Sequence, residues 1–159
     1  MHALPVRDAI RQTMVAAIYV VLVLVFSFMS FETIQFRVAE IMLILVFFDK
    51  KSVIGLLTGT FIANLTGPFG IVDAAFGTLA SAIALFLMIL LSKTPLLAFI
   101  VPGLVNGVVI GLMLHIMIDL PFFVTAGWVF AGETAVMVLL AYPLWRVLRN
   151  HERFLTLFE

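Results

Sequence analysis

Long stretches without a single charge set the strongest limit on what this chain can become. Residues 14–31, 74–92, 94–114 and 120–132 contain no Asp, Glu, Lys or Arg. An α-helix needs about 20 apolar residues to cross a hydrocarbon layer of roughly 30 Å. Runs of this length exceed what one small core can bury. Soluble domains carry roughly half apolar and about a quarter charged residues, whereas this chain of 159 residues is 64% hydrophobic and 11% charged. Its mean hydropathy of +1.26 therefore implies that much of the apolar surface faces lipid. The first run has Arg7 and Arg11 on its flank, as a signal peptide would. No small-x-small cleavage site follows it and five further spans do, so it is expected to be a retained helix.

Hydropathy, charge and Gly/Pro punctuation predict helices near 8–29, 36–49, 52–66, 73–92, 95–117 and 122–149, all in one domain over 1–159. The second and third are short for full spans and are separated only by Asp49, Lys50, Lys51 and Ser52, the pattern of a tight helical hairpin. In a six-span arrangement Arg7, Arg11, Lys50, Lys51, Lys93, Arg146, Arg149 and Arg153 share one side, and only Arg37 falls on the other. The positive-inside rule then places both termini in the cytoplasm. The expected fold is an all-α membrane protein of the cell (plasma) membrane, a compact bundle of six transmembrane helices. Glu32, Glu40, Asp73 and Asp119 gather toward the outer face.

Several function classes are poorly supported. The formal net charge is zero, with no basic stripe for a nucleic acid. The absence of cysteine removes disulfides and thiolate chemistry, and His115 has no second ligand nearby to make a metal site. Phosphate-loop, zinc-protease and nucleophile-elbow motifs are missing, as are the two similar halves of many secondary transporters. Neither an enzyme nor a cofactor is expected.

What remains is polar chemistry at membrane depth, where ionisable groups are costly and mark sites by default. Glu133 lies about eleven residues into the last helix, roughly 16 Å from its outer end, with no base at similar depth in the sequence. It is either satisfied by a neighbouring helix or part of a site. Asn106 sits mid-span and offers both donor and acceptor, for a helix contact or for a ligand. Arg37 and Glu40, three apart, share a helix face and can pair. Asn64 and Asp73 bracket the turn-rich loop 66–70, with Asp73 also placed to cap a helix. Small-residue stripes at Gly55, Gly59, Ala63 and Gly67 and at Gly103, Gly107 and Gly111 let helix backbones approach closely. A softer stripe of Ala9, Thr13 and Ala17 is either packed or an external docking surface.

The runs Ile34-Gln35-Phe36-Arg37-Val38-Ala39-Glu40, Phe61-Ile62-Ala63-Asn64-Leu65-Thr66-Gly67 and Asp73-Ala74-Ala75-Phe76-Gly77-Thr78-Leu79-Ala80, with Pro102, Asn106, Gly107, Gly132 and Glu133, resemble the QueT family over nearly the whole chain. The resemblance implies a queuosine-precursor transporter, the substrate-binding S-component of an energy-coupling-factor importer. Such a protein binds its solute from outside, associates with a transmembrane coupling subunit and two cytoplasmic ATPase subunits, and topples in the membrane. The implied solute is a deazaguanine-like base. Thr13 departs from the family's first-helix Ala-x-x-x-Ala docking pattern, while Ala17 keeps it.

A guanine-like edge presents adjacent N–H donors that one carboxylate can accept together, and an aminomethyl cation wants a second carboxylate. Asn106 or Asn64 would complete the edge, and Phe36 or Phe76 would stack on the ring. Expected contacts are Glu40, Asp73, Asn106 and Glu133, supported by Gln35, Arg37 and Asn64. The competing expectations are an S-component for another small vitamin-like solute, a ligand-free membrane scaffold, and a proton-coupled permease using Glu133.

Overall fold

The computed structural model describes residues 6–30 and 36–156, and these are helical with tight connections and no strand. Helix α1 runs over Val6–Val25, with a one-turn continuation α2 at Ser27–Ser30. A 3-10 helix occupies Val38–Phe47, followed by α3 (Ser52–Asn64), α4 (Ile71–Leu90), α5 (Pro95–Ile118) and α6 (Phe122–Val136). A π turn at Met137–Ala141 joins α6 to α7 (Tyr142–Leu148), and α8 (Glu152–Leu155) closes the described chain. Among the described residues four segments are long and apolar enough to cross a membrane: Val6–Val25, Ile71–Leu90, Pro95–Ile118 and Phe122–Leu148. The 3-10 helix and α3 are shorter apolar helices.

Two of these elements differ from simple α-helices for identifiable reasons. The second apolar segment is 3-10 rather than α, which is uncommon over ten residues. At about 2.0 Å per residue it extends roughly 20 Å, the length that the thirteen residues of α3 reach at 1.5 Å each. The tighter winding thus matches the two arms of the hairpin. It also stacks every third side chain, so Arg37, Glu40, Leu43 and Val46 form one buried row. The last long helix is interrupted by the π turn because Pro143 has no amide hydrogen and its ring crowds the carbonyl four residues back.

Close helix contacts follow the glycines. A methyl group at Gly59 would lie 2.9 Å from the Ala16 carbonyl oxygen, and one at Gly107 would lie 2.9 Å from that of Ala126. The α1–α3 and α5–α6 interfaces therefore form at backbone contact distance, as the small-residue stripes predict. Gly67 is the exception, since it lies in the connection beyond α3. At one end of the bundle, Lys51 pairs with Asp8, Arg11 with Asp49 at 3.2 Å, and the Gly55 amide donates to Gln12 Oε1 at 3.2 Å. These contacts lash the start of α1 to the start of α3. Beside them Phe47, Phe99, Tyr142 and Trp145 pack in stacked, tilted and edge-to-face pairs, with ring centroids 5.3–5.9 Å apart.

Candidate functional site

Inside this apolar bundle lies one polar cluster drawn from five elements. Arg37, the residue just before the 3-10 helix, and Glu40 in its first turn are both buried. The Arg37 Nη2 donates to Asn64 Oδ1 at the end of α3 (2.8 Å), and its Nη1 donates to Asn106 Oδ1 in the middle of α5 (3.4 Å). The Tyr19 hydroxyl, from α1, donates to Glu40 Oε1 at 2.8 Å. Arg37 and Glu40 are themselves 3.9 Å apart, a looser pairing than either makes with its other partner. Glu133 of α6 lies beside Asn106 and within electrostatic reach of Glu40 and Arg37. Tyr19, Glu40, Asn106 and Glu133 are all 0% exposed.

Glu133 therefore does not lack a base at its depth. The sequence places Arg37 at the mouth of a helix, but its long side chain reaches inward, which corrects that expectation. Asp73 behaves differently from the other predicted contacts. Its Oδ2 accepts the Phe69 amide at 2.7 Å, tying the loop before α4 to the first turn of that helix. The bonded amide precedes the N-cap Gly70, so the bond fastens the loop rather than capping the helix, and Arg37 is still within electrostatic reach of Asp73. In the same loop Gly70 adopts φ +54, a backbone state that favours glycine. His115 caps the end of α5 through the Leu120 carbonyl oxygen, 2.7 Å from its Nδ1. Gln35 lies outside the described residues.

The cluster is rich in unused hydrogen-bonding capacity. Both Glu133 oxygens, Glu40 Oε2, and the amide nitrogens of Asn64 and Asn106 are buried without a hydrogen-bond partner. Buried polar groups are nearly always paired, because leaving one unpaired costs about 1–3 kcal/mol. Three carboxylate acceptors and two amide donors within one buried cluster match the groups of a small planar molecule that carries both N–H and C=O. Two carboxyls against a single guanidinium favour a ligand that also bears positive charge.

Two contributors escaped sequence reasoning. Tyr19 looks like ordinary bulk in an apolar run, and its mid-helix hydroxyl, far from any interface, is the signal that could have revealed it. Gly77 makes space, since a methyl group there would lie 2.0 Å from Asn64 Nδ2. Its spacing in α4 carries no mark of this. Ala9, Thr13 and Ala17 are exposed and line an outer groove of about 590 Å³ between α1 and α3, opposite Ile54, Thr58 and Ile62.

The model of the QueT transporter family matches residues 9–150. The protein called queuosine precursor transporter QueT from Lactococcus lactis subsp. cremoris (strain MG1363) is 29% identical over 150 residues, covering 85% of this chain and 88% of the relative. No solved structure matches the chain.

Proposed function

Because the chain belongs to the QueT transporter family, and so to transporters rather than enzymes, we propose that it is the solute-binding subunit of an energy-coupling-factor importer for a queuosine precursor. The relative's name supplies the solute class. The observation that carries the reading is the set of unpaired buried acceptors and donors around Arg37. A 7-deazaguanine base has ring N–H and exocyclic amine donors for a carboxylate, and a carbonyl oxygen for an asparagine amide. Its aminomethyl form adds a cation for the second carboxylate.

Roles divide accordingly. Glu40, Asn106 and Glu133 contact the base, and Arg37 and Asn64 hold the frame. Asp73 shapes the loop at the rim, with Gln35 as a secondary contact. Six membrane crossings with both termini in the cytoplasm agree with the basic residues at the lashed end of the bundle. In this reading two ATPase subunits, joined through a transmembrane coupling subunit, supply the energy, consistent with a chain that carries no phosphate-binding loop of its own. The outer groove of α1 and α3, lined by Ala9, Thr13 and Ala17, fits close approach of a partner helix.

The test is calorimetry of the purified chain with 7-aminomethyl-7-deazaguanine, guanine and thiamine, beside mass spectrometry of any solute that co-purifies. Tight saturable binding of the deazaguanine alone is expected. No binding of any of the three would leave a scaffold, and binding of thiamine alone would reassign the solute.

A further inference from the structure

A second groove of about 490 Å³ runs along the outside of the bundle between α1, the 3-10 helix and α7. Every described residue lining it is apolar except Arg7 and Arg11. On α1 its wall is the row Arg7, Arg11, Met14 and Ile18, spaced four, three and four and hence on one helix face. The two cations occupy one end and the apolar side chains all the rest. Met14 is 58% exposed and Ile18 49%, with Ile41 and Leu144 on the opposite wall. From Arg7 to Ile18 is eleven residues, roughly 16 Å of helix, which is about half of a 30 Å hydrocarbon layer. The groove thus has the length of one leaflet, a charged mouth and an apolar trough.

We infer that this groove is a binding site for one anionic phospholipid, its phosphate at Arg7 and Arg11 and one acyl chain along Met14, Ile18, Ile41 and Leu144. Charge complementarity selects this occupant. A partner helix would need small or polar side chains facing it in lipid, and this trough offers neither. Arg11 shares its charge with Asp49 at 3.2 Å, so the exposed Arg7 supplies most of the headgroup selectivity. The site is separate from the polar cluster and does not depend on which solute the protein carries.

The full chain in nanodiscs of phosphatidylcholine, with or without added phosphatidylglycerol, tests this by native mass spectrometry after transfer to mild detergent. One phosphatidylglycerol per chain should be retained, preferred over phosphatidylcholine by about five- to thirty-fold, the range for one to two basic side chains near a phosphate. Arg7→Gln should lower that preference about fivefold, Arg7→Lys should keep it, and Met14→Trp should fill the trough and release lipid of both kinds. Equal retention of the two lipids, an undiminished preference in Arg7→Gln, or unchanged lipid in Met14→Trp would each overturn the inference. So would loss of the bound lipid from wild-type chain purified with its partner subunits, which would give the groove to a protein helix. A homodimer broken by Met14→Trp would give it to a second copy.

Discussion

At the scale of single residues, the cluster turns on what each side chain leaves unpaired. Glu133 has two buried carboxyl oxygens that lack a well-formed hydrogen bond, with Asn106 as their neighbour, so a ligand N–H meets an acceptor that gives up little to bind it. Glu133→Gln keeps the shape and replaces one acceptor by a donor. Losing a charge-assisted bond and setting donor against donor should cost about 2–4 kcal/mol of binding, roughly thirty-fold to a thousand-fold in affinity. Calorimetry reads this directly, and a change under about threefold (less than 1 kcal/mol) with the fold intact would make Glu133 structural. Tyr19 acts one step back, by fixing Glu40 through its hydroxyl at 2.8 Å. Tyr19→Phe should weaken solute binding about five- to tenfold, the loss of one such hydrogen bond. If it works through Glu40, it should cost nothing further in a Glu40→Gln background. Equal losses in both backgrounds would show that Tyr19 acts by some other route.

Elements carry the next constraint, because the cluster is held by helices packed at backbone distance. Asn106 and Glu133 face each other only while α5 and α6 touch along Gly103, Gly107 and Gly111. Gly107→Val would drive a side chain against the Ala126 carbonyl oxygen, 2.9 Å from the first added carbon. Over-packing of this kind costs about 1–3 kcal/mol. The variant should melt several degrees lower and bind solute more weakly, whereas Gly127→Ala, with nothing within 4 Å, should do neither. A thermal scan in detergent separates them. On the other side of the bundle, Ala17→Trp projects into the α1–α3 outer groove without touching the cluster. It should abolish co-purification with the coupling subunit while calorimetry of the isolated chain stays unchanged. Normal complex yield would move the docking surface elsewhere.

For the whole molecule, the site is shut: its central carboxyls and amides are buried, so solute enters only when the elements around it part. Asp8, Arg11, Gln12, Asp49 and Lys51 lash one end of the bundle. No ATP-binding loop accompanies this. The isolated chain should therefore bind solute and hydrolyse no ATP, with uptake restored only when coupling and ATPase subunits are supplied. Reconstituted vesicles containing this chain alone check it, and robust ATP-driven uptake in them would refute the division of labour.

Hydropathy and punctuation placed the apolar helical segments in order, because in lipid a long apolar run must pair its own backbone groups and Gly and Pro mark its ends. The same reasoning found Glu40, Asn64, Asn106 and Glu133, since a polar group inside such a run is conspicuous by its cost. The tertiary structure decided the rest. The 3-10 winding of Val38–Phe47 sets Arg37 and Glu40 in one inward row, and no local propensity announces it, because the choice matches the length of a neighbouring helix. Arg37 reaches the depth of Glu133 because a long side chain can turn along the bundle, which its position in the sequence does not record. A 2.7 Å bond from the Phe69 amide ties one Asp73 oxygen to the loop, a contact that its place in the sequence does not record. Tyr19 and Gly77 matter only through residues far away in the chain. Composition and periodicity report what a segment must bury, and only packing decides what it is buried against.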